Sequence, residues 1–594
     1  MAGTFPPFVG DKRCVGDKDC VGDEHWWGQT LRGGQGGASP WHDLAMGSGD
    51  PSSSASRRRL AGQLWRLADF VQASDTRKSF RSRAFRTAVW ALDDLSLEDS
   101  SESMAAVAGI GPGIIRLIEE FRETGSLGEL ERLAETYPLQ VARMSRLPRM
   151  TPRRLRQLKE LGVDTVPDLL EAIEAGAAET IDGVGGATVD RWAAIVSLPP
   201  TAGAVPAHSG AVTSTALAFH LRRHLPGTTV HVAGESRRLE EWVTQLELVV
   251  VADDITPVLR FVDSTAVAAS SNVDGAVAEL VTHGGLPVRV HMGGERRAGS
   301  VLVQATGPPG HIDGLGLDTV ADHPDEQSVY REAGHIWVPP PARSMAPPIA
   351  DLIKTDDVVG DLHLHTEWSP DGRMTIDGLV AAAIERGYEY LAITDHTIGL
   401  RFGGLDPVAL RRQRQDIESA RRRHPDLTVL HGAEINIDRH GVPDLDDETL
   451  GWLDFVVAGA HSHFDLDADE QTARLVAAVR HPSVKVLAHP TGRRIGIRPG
   501  FRVDFGPVFE AAAETATALE VNGHRDRMDL SAQWAATAVA AGVMLAANSD
   551  AHRYTELDNV DVAVGIIQRA DVGPDRVVNA LPMAEFAAWS GRPV

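Results

Sequence analysis

The sequence predicts a multidomain chain: a helical N-terminal region built on glycine hairpins, a central α+β segment, and a C-terminal barrel of repeated β/α units. Three observations carry this. Between about residues 346 and 594, seven short apolar runs end in polar side chains and alternate with helix-like stretches. Residues 57–92 hold nine basic and two acidic side chains, with apolar residues at helical spacing, and glycine-rich turns follow. Proline pairs and triplets at Pro199-Pro200 and Pro339-Pro340-Pro341 mark the edges of the central segment.

Taken in order, residues 1–58 are rich in Gly, Ser, Asp and Trp and contain a near-repeat ending at Cys14 and at Cys20. No apolar periodicity supports a core there, so a disordered head is expected. The two cysteines could hold a metal with His25, but they exclude a disulfide framework. No apolar run is long enough to span a bilayer and the N-terminus has no secretory pattern, so a cytoplasmic location is expected. The formal net charge of −24 argues against indiscriminate binding of polyanions, while leaving room for a local basic face.

Residues 59–138 are expected to form a first helix-hairpin-helix domain around Gly109, Gly111 and Gly113 in Val107-Ala-Gly109-Ile-Gly111-Pro-Gly113. A Gly-x-Gly turn places backbone N–H groups at a helix N-terminus, which suits a DNA phosphate; a tight turn between packed helices needs the same residues. Residues 139–205 suggest a second such region, with an arginine-rich first helix and the glycines Gly183 and Gly185. Residues 206–345 form the α+β segment.

In residues 346–594 the seven runs read as buried strands. In a barrel of parallel strands the C-terminal ends converge on one rim, so residues far apart in sequence share a pocket. Here those ends carry His363 and His365, His396, Glu434, His461 and His463, His489, Asn522, and Asp550 with His552. Any one such histidine is readily explained as a hydrogen-bonded structural residue. Six strand ends with His, Asp or Glu are hard to place in an ordinary core, because each buried polar group costs free energy unless paired. A multinuclear divalent site of zinc, manganese or iron is the expectation, and clustered cations of this kind serve phosphoester hydrolysis.

The motifs Asp361-Leu-His363-Leu-His365-Thr-Glu-Trp-Ser-Pro-Asp371-Gly372, Thr394-Asp-His396, Gly432-Ala-Glu434, His461-Ser-His463-Phe464, His489-Pro-Thr-Gly-Arg493 and Ser549-Asp550-Ala-His552 resemble those of the PHP (polymerase and histidinol phosphatase) domain. The resemblance implies a distorted (β/α)7 barrel holding three metals. His363, His365, Glu434 and Asp550 would hold one, and Glu434 would bridge to a second on His461 and His489. Asp371, His396 and His552 would hold the third. Glu434, His461 and Asp550 would be the residues nearest the chemistry, and His463 would lie outside the ligand set. Arg493 and Arg525, beside strand ends, are candidates for phosphate contact or for plain surface arginines.

The order of the earlier segments resembles bacterial family X DNA polymerases. In the middle hairpin, Arg149 and Thr151 stand where that family usually has Gly-x-Gly, which puts phosphate gripping there in doubt. The stretch from Gly234 through Arg237, Arg238 and Val251 resembles the palm motif, but Gln245 and Glu247 replace its paired aspartates, and the third carboxylate aligns with Arg289. Two Mg²⁺ ions need clustered carboxylates, so a degenerate palm is expected. The resemblance implies a phosphoesterase acting on DNA at 3′ ends or gaps, as a 3′→5′ exonuclease or 3′-end processing enzyme in repair. A small-molecule phosphomonoesterase and a non-catalytic DNA-binding scaffold remain the alternatives.

Overall fold

The computed structural model describes residues 53–75, 79–201, 203–344, 351–400 and 403–591. Cys14, Cys20, His25 and the near-repeat lie outside the described residues. Helical structure begins at Ser54, inside the segment expected as a head, because the Ser53 side chain accepts from Ser56 N and caps the helix Ser54–Ser74. Among the described residues no helix is long and apolar enough to cross a membrane.

The N-terminal region contains three hairpins of one build, the middle one at the position where Arg149 and Thr151 replace glycines. In each, a residue with left-handed backbone is followed two positions later by an extended residue that opens a helix. Gly109 (φ 92) precedes Gly111, Arg149 (φ 58) precedes Thr151, and Gly183 (φ 70) precedes Gly185. The helices so opened are Pro112–Thr124, Pro152–Glu160 and Gly186–Val196. The middle turn forms without its glycines: Arg149 accepts a conformation that L-residues rarely adopt, and Thr151 caps the helix by accepting from Arg154 N. Gly109 is required twice over, since a Cβ there would also lie 2.8 Å from Thr87 Cγ2.

The central segment is a five-stranded sheet in the order Thr229–Ala233, Leu246–Val251, Pro287–Gly293, Val277–Thr282, Ala268–Asp274, with only the second and third strands parallel. One apolar core runs without a break from Leu60 in the first helix to Met292 in this sheet. The first three segments are therefore packed on one another, not strung as beads. Polar contacts pin the same seam: Arg58 donates to Thr265 O and Asp263 O, and Asp93 accepts from Ala266 N while paired with His220.

The C-terminal region is a nearly closed barrel of seven parallel strands, Gly360–Leu364, Tyr390–Ile393, Thr428–Asn436, Phe455–Gly459, Val486–Leu487, Ala518–Asn522 and Leu545–Asn548. The first and last strands meet through a bridge between Leu364 and Ala551, with His365 N donating to Ala551 O at 2.9 Å. Strands covered on both faces read as continuous apolar runs, which is why they were visible in the sequence. Inside, Leu362, Tyr390, Phe455, Val457 and Val486 pack with Phe586 of the helix Met583–Ser590. Packing of this kind leaves the strand C-terminal rim to the polar side chains.

Candidate metal centre

All nine sequence-predicted ligands meet at that rim. Glu434, at 1% exposure on the third strand, is the hub. Its Oε2 lies 3.4 Å from His363 Nε2 and 3.6 Å from His365 Nε2, while Oε1 lies 3.1 Å from His461 Nε2 and 2.9 Å from His489 Nε2. One carboxylate thus divides its two oxygens between two histidine pairs. Asp550 Oδ1 completes the first group at 3.3 Å from His365 Nε2 and 3.6 Å from His363 Nε2. Asp371 Oδ2 faces His552 Nε2 at 3.4 Å and His396 Nε2 at 3.7 Å, and is the exposed member of the set.

The donor set fits cations. His363 Nε2, His365 Nε2, His396 Nδ1, His461 Nε2 and Glu434 Oε2 are all buried without a hydrogen-bond partner, although His396 Nδ1 and Glu434 Oε2 approach to 2.7 Å. Buried lone pairs aimed at one another are costly unless something positive sits among them. Three groups have ligand atoms close enough to share an ion: His363 with His365 and Asp550; His396 with Glu434 and His461; and His365 with His396 and His552.

Surrounding groups fix which ring nitrogen faces inward. His363 Nδ1 bonds Glu520 at 2.7 Å, and His461 Nδ1 bonds Asn436 Oδ1 at 2.6 Å. His365 Nδ1 reaches Ser369 Oγ at 3.3 Å. Such outer contacts orient a ligand and, from a carboxylate, make it more basic. Asp550 Oδ2 accepts from Asn522 Nδ2 at 2.9 Å and pairs with Arg527 Nε at 3.2 Å, which leaves Oδ1 for the cluster. Burial, with His552 and His396 nearby, holds His365 down to about 3; burial and Arg527 hold His489 down to about 4. Burial works against a charge on His396, but Glu434 and Asp371 outweigh it and push that ring up to about 10.

Glu520, Asn436 and Arg527 were not singled out in the sequence as members of this site, and Asn522 was marked only as a polar strand end. Glu520 carried a signal: two residues before Asn522 on the same strand, it shares that residue's face, so the strand interior deserved reading as well as its end. His463 lies exposed on the loop after His461, with φ 53, outside the cluster. Arg493 is a correction. It is not a plain surface arginine: it is largely buried, and Glu241 of the central segment holds it in a bidentate pair at 2.8 and 2.9 Å. Arg525 is largely buried, and burial pulls its pKa down.

Gly459 makes the cluster possible. A Cβ there would lie 2.6 Å from Glu434 Oε1, 2.6 Å from His461 Cε1 and 3.2 Å from His489 Cε1. Gly459→Ala is expected to leave the barrel folded, at a cost of about 1–3 kcal/mol, and to displace the bridging carboxylate. Bound metal counted by elemental analysis should fall together with turnover. Full metal content in this variant would contradict the assigned geometry.

The PHP domain family profile matches residues 361–488. The DNA polymerase/3′-5′ exonuclease PolX of Bacillus subtilis (strain 168) is 30% identical over 550 residues, covering 86% of this chain and 95% of that protein. The chain belongs to the PolX family. A probable phosphatase of Edwardsiella ictaluri (strain 93-146) is 29% identical over 245 residues, which is 39% of this chain and 96% of that one. The structure of histidinol phosphate phosphatase from Lactococcus lactis, complexed with zinc, L-histidinol and phosphate, is 17% identical, with a TM-score of 0.28 over 35% of this chain and 92% of that chain.

In the central sheet the residues that resemble the palm motif are paired with one another. Glu247 pairs in register with Arg289 of the neighbouring parallel strand, whose guanidinium stands 3.8 Å from it, and Gln245 donates to Glu247 at 3.0 Å. The double arginine is engaged as well. Arg237 forms a bidentate pair with Glu326 and Arg238 donates to Thr306 O. Among the described residues, every metal-competent cluster of three or more lies in the barrel.

Proposed function

We propose that the chain is a divalent-metal phosphoesterase acting on DNA, removing nucleotides or phosphates at 3′ ends or gaps, and that its palm does not polymerise. The observation that carries this is the contrast between two acidic sites in one PolX chain. At the barrel rim nine ligand side chains converge on shared carboxylates. In the palm Glu247 faces an amide and a guanidinium, and that guanidinium is taken up more closely by Glu279. The printed activity of the Bacillus subtilis relative, which includes a 3′-5′ exonuclease, supports DNA as the substrate.

His363, His365 and Asp550 with Glu434 would hold one ion, Glu434 with His461 and His489 a second, and Asp371, His396 and His552 a third; zinc, manganese and iron all suit these donors. Bound there, divalent cations would supply a strong nucleophile from water at neutral pH and would screen the charge on phosphoryl oxygens. The chain's own part is to hold the ligands in register. Glu520 and Asn436 keep His363 and His461 in the right tautomer, and Asn522 and Arg527 hold the outer oxygen of Asp550. The helix N-termini after Gly111 and Gly185, with their backbone N–H groups, would hold the DNA backbone. The reading makes DNA the partner and the cytoplasm the compartment.

Purified protein with Mn²⁺ is tested against 3′-labelled single-stranded, recessed and 3′-phosphorylated DNA beside a small phosphomonoester. Release from DNA supports the reading, whereas turnover of the small ester alone would make this a small-molecule phosphatase. On primed template with dNTPs we expect no extension. Incorporation that follows the template and is lost in Glu247→Gln would overturn the reading of the palm.

A further inference from the structure

We infer that the palm residue Glu241 positions Arg527 in the barrel through Arg493, so that the central segment supports the metal centre. Three links make the chain of contact. Glu241 and Arg493 form the bidentate pair already described. Arg493 follows His489 on one rim loop, and its guanidinium donates to two carbonyls of the next, Arg527 O at 3.0 Å and Met528 O. Arg527, carried on that second loop, reaches inward to Asp550 Oδ2 at 3.2 Å.

The direction of support follows from charge. Arg493 is only 18% exposed, and two carbonyl dipoles do not neutralise a guanidinium that has lost most of its water. The buried Asp529 lies near enough to act on Arg493, but Glu241 is the carboxylate hydrogen-bonded to it, and the fork geometry of that pair fixes the guanidinium plane so that the N–H groups also meet the carbonyls. Without Glu241 the loop of residues 524–530 loses its outer clamp, and with it the aim of Arg527 at Asp550. Glu241 is itself anchored: Ala207 N donates to Glu241 O, and Leu239 packs against Gly565, where a Cβ would come within 2.3 Å of Leu239 Cδ1. Arg569 separately joins the barrel to Arg238 O, Pro341 O and Glu240, so the two bodies stay docked when Glu241 changes. A palm without nucleotidyl-transfer carboxylates thereby keeps a physical task.

The inference rests on the metal reading of the barrel and not on the substrate, so the experiment reads metal binding in the full-length protein. Mn²⁺ affinity is measured by chelator competition for the wild type, Glu241→Gln, Arg527→Met and the double variant, with hydrogen exchange followed across residues 524–530. Glu241→Gln should accelerate exchange in that loop and weaken Mn²⁺ binding roughly tenfold, the usual scale for a residue acting behind a ligand. In the Arg527→Met background, Glu241→Gln should change nothing further, because the path ends at Arg527. Effects that add, or a Glu241→Gln protein with wild-type affinity, would overturn the inference. Should Glu241→Gln also loosen the helix Asn559–Arg569, Arg493→Lys replaces it: a lysine keeps the charge pair but cannot span both carbonyls, and wild-type affinity there would equally overturn it. Mn²⁺ binding with the expected coupling but no release from DNA would count against the proposed substrate alone.

Discussion

Glu434→Gln is expected to abolish hydrolysis, with turnover falling at least about a hundredfold, and to lower bound metal in the same preparation. The substitution keeps the shape and volume of the side chain, so the barrel should fold. What it removes is the charge. Burial opposes ionisation of Glu434, but His461, His396 and His363 around it hold its pKa well below the ordinary carboxylate range, so the wild-type group is an anion. An amide has one carbonyl oxygen to offer and an NH₂ that points hydrogens at whichever histidine pair faces it. It can therefore serve one pair at most. Normal turnover with normal metal content in Glu434→Gln would remove the bridging role, and with it the reading of the site as one shared cluster.

The second large effect is expected at the first hairpin, where DNA binding can be separated from folding. Gly113 has a helical position and nothing within 4 Å of where a Cβ would stand. Packing does not require glycine there, and leucine, a better helix former, should not lower helix stability. A DNA phosphate drawn to the N–H groups at this helix N-terminus would meet the new side chain. Gly113→Leu should melt no lower than the wild type yet bind DNA roughly tenfold more weakly, the scale of one lost charge-assisted hydrogen bond. Unchanged affinity in a stable Gly113→Leu protein would return this hairpin to its plain structural reading, a tight turn between packed helices.

These two sites show what the sequence made legible and why. The metal ligands could be read because parallel strands bring their ends to one rim, so a local pattern, an apolar run closing on His, Asp or Glu, reports a non-local place. The glycine turns could be read because left-handed backbone restricts residue choice, although Arg149 shows that the restriction is a cost and not a prohibition. Nothing local marks Glu241 and Arg493, which lie 252 residues apart. Arg493 therefore read as a phosphate contact or a plain surface arginine, when it pairs with Glu241 of the central segment. The continuous core from Leu60 to Met292 was hidden for the same reason: amphipathic periodicity tells which face is buried, and says nothing about which element covers it.

On the proposed function, the barrel's metal centre would work on DNA delivered by the helical region of the same chain. The most direct test of that reading is Mn²⁺-dependent release from 3′-labelled DNA, measured beside hydrolysis of a small chromogenic phosphodiester, in intact wild-type protein and in Gly113→Leu. The wild type should hydrolyse both, and Gly113→Leu should raise the KM for DNA while the small ester is turned over as before. Hydrolysis of the small ester with no release from DNA, or equal DNA kinetics in the two proteins, would contradict that reading.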